Sequence, residues 1–260
     1  MRRILPVVYV AFDVPASSIT LIQSMKHTMK TCTFIAGMTL IVGSLVAADS
    51  NPKQEVSAAA KALGDKPNYS WKTTVTVPEG SRFRPGPMEG KTEKDGFTCV
   101  TMSFGDNKTE AVIKGEKAAV TDREGEWQSV ADLGNEGPGR FLGAMVRNLK
   151  TPAVQAAELA SETKELKKEG DAYSAELTEE GAKNLLRFGR GATGATTSNA
   201  KGSVKFWLKD GALSKYEFKV KGTVSFDGND REVDRTTLVE IKDVGTTKVD
   251  APAGAKKKLS

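Results

Sequence analysis

The sequence predicts an α+β fold: a single domain in which a few helices interrupt a large, curved antiparallel sheet. Three observations carry that prediction. Apolar and polar residues alternate over several segments, most clearly from Lys215 to Phe226. Short turns such as Gly115-Glu116 and Asp210-Gly211 join these segments, which suits direct antiparallel neighbours. A long βαβ repeat, the mark of a parallel sheet, is missing.

Residues 1–48 read as a leader. The run from Cys32 to Ala47 holds no charge, follows Lys26 and Lys30, and ends on the small residues Val46-Ala47-Ala48. That is the order of a secretory signal. The run is short for a membrane span, which needs roughly 20 residues. Cleavage is expected after Ala48, with Ala47 as the neighbouring choice and a retained signal anchor as the alternative. Pro6, Asp13 and Pro15 interrupt any single apolar helix upstream, and Met25-Lys26 makes a conventional signal start, so translation from Met25 is expected. Cys32 is not preceded by the small-residue lipobox of a bacterial lipoprotein.

Loss of the leader removes His27, the only histidine, and Cys32, one of the two cysteines. Residues 49–260, the expected mature domain, then hold no imidazole and one thiol, Cys99. A Ser-His-Asp triad, zinc held by Cys and His, and an internal disulfide are all excluded. The whole chain carries 38 basic and 33 acidic residues, a net +5. Subtracting the leader's four basic residues and one acidic residue leaves +2, spread along the length. The cluster Lys256-Lys257-Lys258 reads as a solvated end. Nucleic-acid binding needs a concentrated basic surface, and none is visible. The expected location is exported, periplasmic or secreted, with no stable transmembrane span in the mature chain.

The elements follow in order. Asn51–Leu63 has high helical propensity, with Pro52 in the first turn and Gly64-Asp65 as the stop. Tyr69 to Val77 alternates as a half-buried strand. Pro78 to Gly90 reads as an irregular loop. Phe97–Phe104 is a strand with Val100, Met102 and Phe104 on one face. Thr109–Lys114 and Lys117–Thr121 form a hairpin, and Trp127 marks another short strand. Phe141, Leu142, Met145, Val146 and Leu149 recur at helical spacing, and Pro152–Leu159 begins a further helix. Thr163–Lys168 and Ala172–Leu177 read as short strands. Thr178 caps a helix whose first turn holds Glu179 and Glu180, where negative charge is favoured. Ser203–Leu208, the long strand ending at Phe226, Val233–Val244 and a short strand at Lys248–Asp250 complete the sheet.

Few motifs carry chemistry. Gly189-Arg190-Gly191-Ala192-Thr193-Gly194 spells G-x-G-x-x-G, but it follows a helix and precedes a strand, the wrong order for a dinucleotide turn. The Ala192–Lys201 stretch reads instead as a long loop able to act as a flap over a cavity. The two S-x-x-K matches, at Ser161 and Ser198, lack companion motifs. Asp227, Asn229, Asp230, Glu232 and Asp234 are oxygen-rich, yet their spacing fits no EF-hand and reads as a solvated hairpin tip. No pair of carboxylates stands out for glycoside hydrolysis. Cys99, within an alternating strand, reads as a packing residue. No catalytic residue, metal or cofactor is therefore expected, and the chain is not expected to be an enzyme.

Taken in order, the mature chain resembles the LolA/LppX-like group of exported lipoprotein and lipid carriers. The likeness spans roughly residues 53–252 and lies in the order of elements. It includes the Gly115-Glu116 hairpin leading to Trp127, the helical insertion, the tract from Phe206 to Tyr216 and the ending Val249-Asp250-Ala251-Pro252. The resemblance implies a half-barrel sheet with helices covering a hydrophobic cavity, and non-covalent transport of acyl chains without catalysis or cofactor. Met102, Phe104, Leu142, Met145, Leu185, Phe188, Trp207 and Phe218 are the candidates for lining such a cavity. Two readings stand. The first is a carrier or binder of a lipid or lipoprotein acyl chain. The second is an envelope protein-interaction or assembly module with a packed core and no ligand.

Overall fold

Two antiparallel meanders run outward from one central seam. The computed structural model describes residues 51–81, 84–105, 107–134, 137–187, 195–226 and 228–260. The leader with its Ala48 boundary, Phe188, Gly189–Gly194 and Asp227 lie outside the described residues.

The first meander comprises β1 (Asn68–Thr76), β2 (Met88–Glu93), β3 (Thr98–Phe104), β4 (Asn107–Lys114), β5 (Lys117–Thr121) and β6 (Trp127–Ser129). The second comprises β7 (Lys167–Glu169), β8 (Ala172–Glu176), β9 (Thr196–Lys209), β10 (Ala212–Phe226) and β11 (Asn229–Lys242). Together they form an 11-stranded sheet in the order β6-β5-β4-β3-β2-β1-β11-β10-β9-β8-β7. Every neighbouring pair is antiparallel, and β1 meets β11 in the register Trp71 to Ile241 and Thr73 to Val239. The sheet is not closed: the fold is α+β, a half-barrel with helices on it. Its two edges are three-residue strands, and β7 reads Lys-Lys-Glu with all three residues exposed. Short, charged edges discourage pairing with another chain.

Local chemistry explains the turns and caps. Asp210 and Gly211 both take positive φ, 52° and 74°, the conformation that a two-residue hairpin needs. Helix α1 (Pro52–Gly64) starts at Asn51, whose side chain accepts from the Lys53 N–H at 3.0 Å. Helix α4 (Glu179–Arg187) starts at Thr178, whose Oγ1 accepts from the Gly181 N–H at 3.1 Å.

Helices α1, α2 (Gly137–Arg147) and α3 (Pro152–Ser161) share one face of the sheet. The main core lies there. Val56, Ala59, Ala60 and Leu63 of α1 and Ala156, Leu159 and Ala160 of α3 meet Trp71, Phe206, Tyr216 and Val239. Helix α4 covers the far end of the β9–β10 hairpin through Ala182 and Leu186 against Val220 and Val224. Gly222 permits that approach, since a Cβ there would lie 2.6 Å from the Leu186 Cδ1 and 3.0 Å from the Ser198 carbonyl. Helix α5 (Ala253–Leu259) lies on the opposite face, where Ala255 and Leu259 pack on Val112 and Ala119.

Several expectations need correction. The segment expected as loop up to Gly90 contains the start of β2. Its inward residues Met88, Gly90 and Thr92 are too weakly apolar to announce a strand. Thr196–Lys201, expected within a flap-like loop, is the first part of β9, held by pairing with β10. Lys248–Asp250 is not a strand. The solvated end at Lys256–Lys258 is instead the last turn of α5, where cations suit the helix C-terminus. Thr163 makes only an isolated bridge to Leu177, and β7 begins at Lys167. Asn229 and Asp230 belong to β11 rather than to a hairpin tip.

Candidate ligand cleft

The sheet face is closed at its centre and looser at one side. At the centre, Tyr216 is fully buried and its hydroxyl donates to Gln155 Oε1 of α3 at 2.7 Å. Burial holds its phenol well above the ordinary value of 10.0. Tyr69, beside Trp71, is raised by burial as well. The Tyr173 hydroxyl donates to the Glu55 carboxylate of α1.

Helix α2 behaves differently. Val146 is buried, but Leu142, Met145 and Leu149 are only half-buried against the core, and Phe141 is 49% exposed. The contrast with α1 and α3, whose apolar faces are closed, is one of packing: α2 rests mainly on β5. The Arg147 guanidinium donates to the Val130 carbonyl at 3.3 Å and pins the end of α2 to the chain after β6.

Beside that end lies a cleft of about 660 Å³ at the tip of the β4–β5 hairpin. Ile113, Ala118, Val130, Val146 and Leu149 supply apolar surface. Lys117 from β5, Arg147 from α2 and Lys258 from α5 supply cations, and Glu116 and the α-carboxylate of Ser260 supply negative charge to the same lining. This volume is within the ordinary range for small-molecule sites, and Ser129 and Ser260 add further polar groups to the lining. A second cleft, of about 450 Å³, runs along β7–β9 and is lined by Lys164, Glu165, Lys167, Glu176, Ala175 and Val204 among others.

The sequence candidates do not converge on either cleft. Met102 and Phe218 are buried in the main core, and Phe104, Leu142 and Met145 pack against it half-buried. Leu185 bridges that core and the α4 cluster. Phe188 lies outside the described residues. Trp207 is a correction. Strand alternation puts it on the face opposite Phe206, and Lys215 sits over its ring at 4.5 Å. The cleft-lining residues were missed because they lie on four separated segments. The one visible signal was the end of the α2 stripe at Val146 and Leu149.

Other chemistry is structural. Cys99 packs under α5, and its thiol is raised first by burial and then by Asp250 and Glu110, unlike an activated nucleophile. In the acidic constellation, Glu232 accepts from the Thr223 hydroxyl at 2.8 Å, and Asp234 faces Lys219 at 3.7 Å. Among the described residues, no group of three or more His, Cys, Asp or Glu side chains is placed to hold a metal ion. No helix among them is long and apolar enough to cross a membrane.

No protein-family model matches the chain, and no curated protein does. Solved structures do. The lipoprotein LppX of Mycobacterium tuberculosis is similar at 9% identity and a TM-score of 0.45, covering 78% of this chain and 99% of its own. LprF of Mycobacterium bovis is similar at 11% identity and a TM-score of 0.43, covering 78% and 97%. A DUF1329 family protein of Desulfovibrio piger follows at 12% identity and a TM-score of 0.30, covering 74% and 90%.

Proposed function

We propose that the protein is an exported, non-enzymatic binder of a hydrophobic ligand, a lipid or an acyl chain, received where α2 meets the β4–β6 side of the sheet. One observation carries this reading. The large apolar side chains Leu142, Met145 and Leu149 are left half-buried beside a cleft of about 660 Å³ with apolar lining residues, while α1 and α3 bury Val56, Leu63 and Leu159 on the same face. An acyl chain laid along Leu149, Ile113 and Ala118 would bury that surface, at about 0.8 kcal/mol for each CH₂ removed from water. Val146 and the Arg147 hydrogen bond hold the end of α2 that borders the cleft.

The closed centre favours the second reading, an envelope interaction module that binds no lipid. Native mass spectrometry of protein purified from its own envelope separates the two, read together with uptake of a fluorescent fatty acid. The carrier reading expects co-purified lipid, and uptake that Leu149→Trp, which fills the cleft from its lining, reduces several-fold while the melting temperature moves by only a few degrees. A parent protein that carries no lipid and takes up no probe overturns it and leaves the interaction module.

A further inference from the structure

The cleft brings together three cations from three elements. Lys117 opens β5, Arg147 closes α2 and Lys258 lies in the last turn of α5. Nothing in their sequence positions places them together; the topology does. Among the described residues, many surface lysines have a carboxylate at hand, as in Lys61–Asp65, Lys164–Glu176 and Lys183–Glu179. Within α5 itself, Lys256 reaches Asp250 at 3.4 Å. None of the three cleft cations forms such an ion pair among the described residues, although Glu116 and the last residue, Ser260, are in the same lining. Arg147 also keeps most of its donors free, since its described hydrogen bond uses one N–H toward Val130. Two of the three sit at helix C-terminal ends, which stabilise a cation. That accounts for their residue type but not for their convergence on one apolar-walled cleft.

We infer that the ligand is an anionic amphiphile, its phosphate or carboxylate held between Lys117, Arg147 and Lys258 and its chain laid on the Ile113, Ala118 and Leu149 surface. Guanidinium and ammonium donors around one oxyanion make strong charge-assisted hydrogen bonds. The apolar wall beside them selects an anion that carries a chain over one that does not. This inference rests on the lipid-binding reading above and names the class of lipid.

The test compares short-chain phosphatidylglycerol with phosphatidylcholine of the same chains, both below their micelle concentrations, on the full mature chain. Phosphatidylglycerol is expected to bind at least about tenfold more tightly, a preference that falls as salt is raised. Lys117→Gln/Arg147→Gln/Lys258→Gln is expected to abolish the preference and leave phosphatidylcholine binding unchanged. Lys117→Gln/Lys258→Gln, which removes no described hydrogen bond, carries the same expectation in weaker form and serves if the triple variant does not fold. Equal binding of the two lipids, with no response to either variant, overturns the inference and leaves the carrier reading standing. Full competition by inorganic phosphate assigns the cations to a free anion and also overturns it. Binding of neither lipid removes the carrier reading itself, and the inference with it.

Discussion

Trp71 on β1 lies across Gly90 on β2, its partner in the strand register, and occupies the space that a side chain at position 90 would need. A Cβ on Gly90 would stand 2.1 Å from the Trp71 Cζ2. The indole is 3% exposed and packed beneath α1 and α3, so it has nowhere to withdraw. Gly90→Ala is therefore expected to cost about 1–3 kcal/mol through overpacking. Urea unfolding followed by tryptophan fluorescence measures it; an unchanged midpoint would mean that the ring is free to swing aside.

The Tyr216–Gln155 pair should respond unequally to its two deletions. Gln155→Leu leaves a buried hydroxyl without an acceptor and is expected to cost about 1–3 kcal/mol. Tyr216→Phe removes that hydroxyl and leaves Gln155, which is half-buried and able to turn to solvent, so its cost should be smaller, about 0.5–1.5 kcal/mol. Denaturant midpoints on both variants check the order.

Alkali should expose the same tyrosine. Its folded pKa is raised by burial above the ordinary 10.0, so the folded state keeps a proton that the unfolded state releases. The associated stability is complete below the unfolded value and is lost as pH rises above it toward the folded one. Between pH 8 and about pH 11, the parent is expected to lose more melting temperature than Tyr216→Phe. Parallel losses would show that Tyr216 does not contribute.

Helix α5 should be a working part of the domain. Deletion of residues 251–260 uncovers Val112, Ala119 and one side of Trp127, and removes the burial of Leu259. A loss of about 2–3 kcal/mol is expected from that burial alone, with a red shift in tryptophan emission. Unchanged stability would return the segment to the status of a free tail.

Export is expected to remove residues up to Ala48, because an uncharged run flanked by lysines ends there on small residues. N-terminal sequencing of the protein recovered outside the cytoplasm should begin at Asp49. An intact product that begins at Met25 would contradict cleavage.

What could be read in advance followed from amplitude of pattern. Strand β10 was legible because Tyr216, Phe218, Val220 and Val224 are large, and each stands between polar neighbours. Strand β2 has the same period, but Gly90 and Thr92 stand where apolar residues would have declared it, and Gly90 is small because Trp71 needs the room. Helix α5 buries little beyond Ala255 and Leu259, so three consecutive lysines dominated its appearance. The cleft was illegible for another reason: Lys117, Arg147 and Lys258 become neighbours only through the path of the sheet. Trp207 was misplaced because its alternation continues the apolar run beside Phe206 and Leu208 rather than opposing it.

The seam between β1 and β11 has a consequence for the order of events during synthesis. Residues 68–76 can pair with β2 on one side at once, but wait for residues 229–242 on the other, and a contact of that separation forms slowly. Until the C-terminal end of the chain is available, Trp71 has a strand on one side only. The sheet therefore cannot be completed before the last third of the chain is present, and folding of the first meander alone leaves β1 as an open edge.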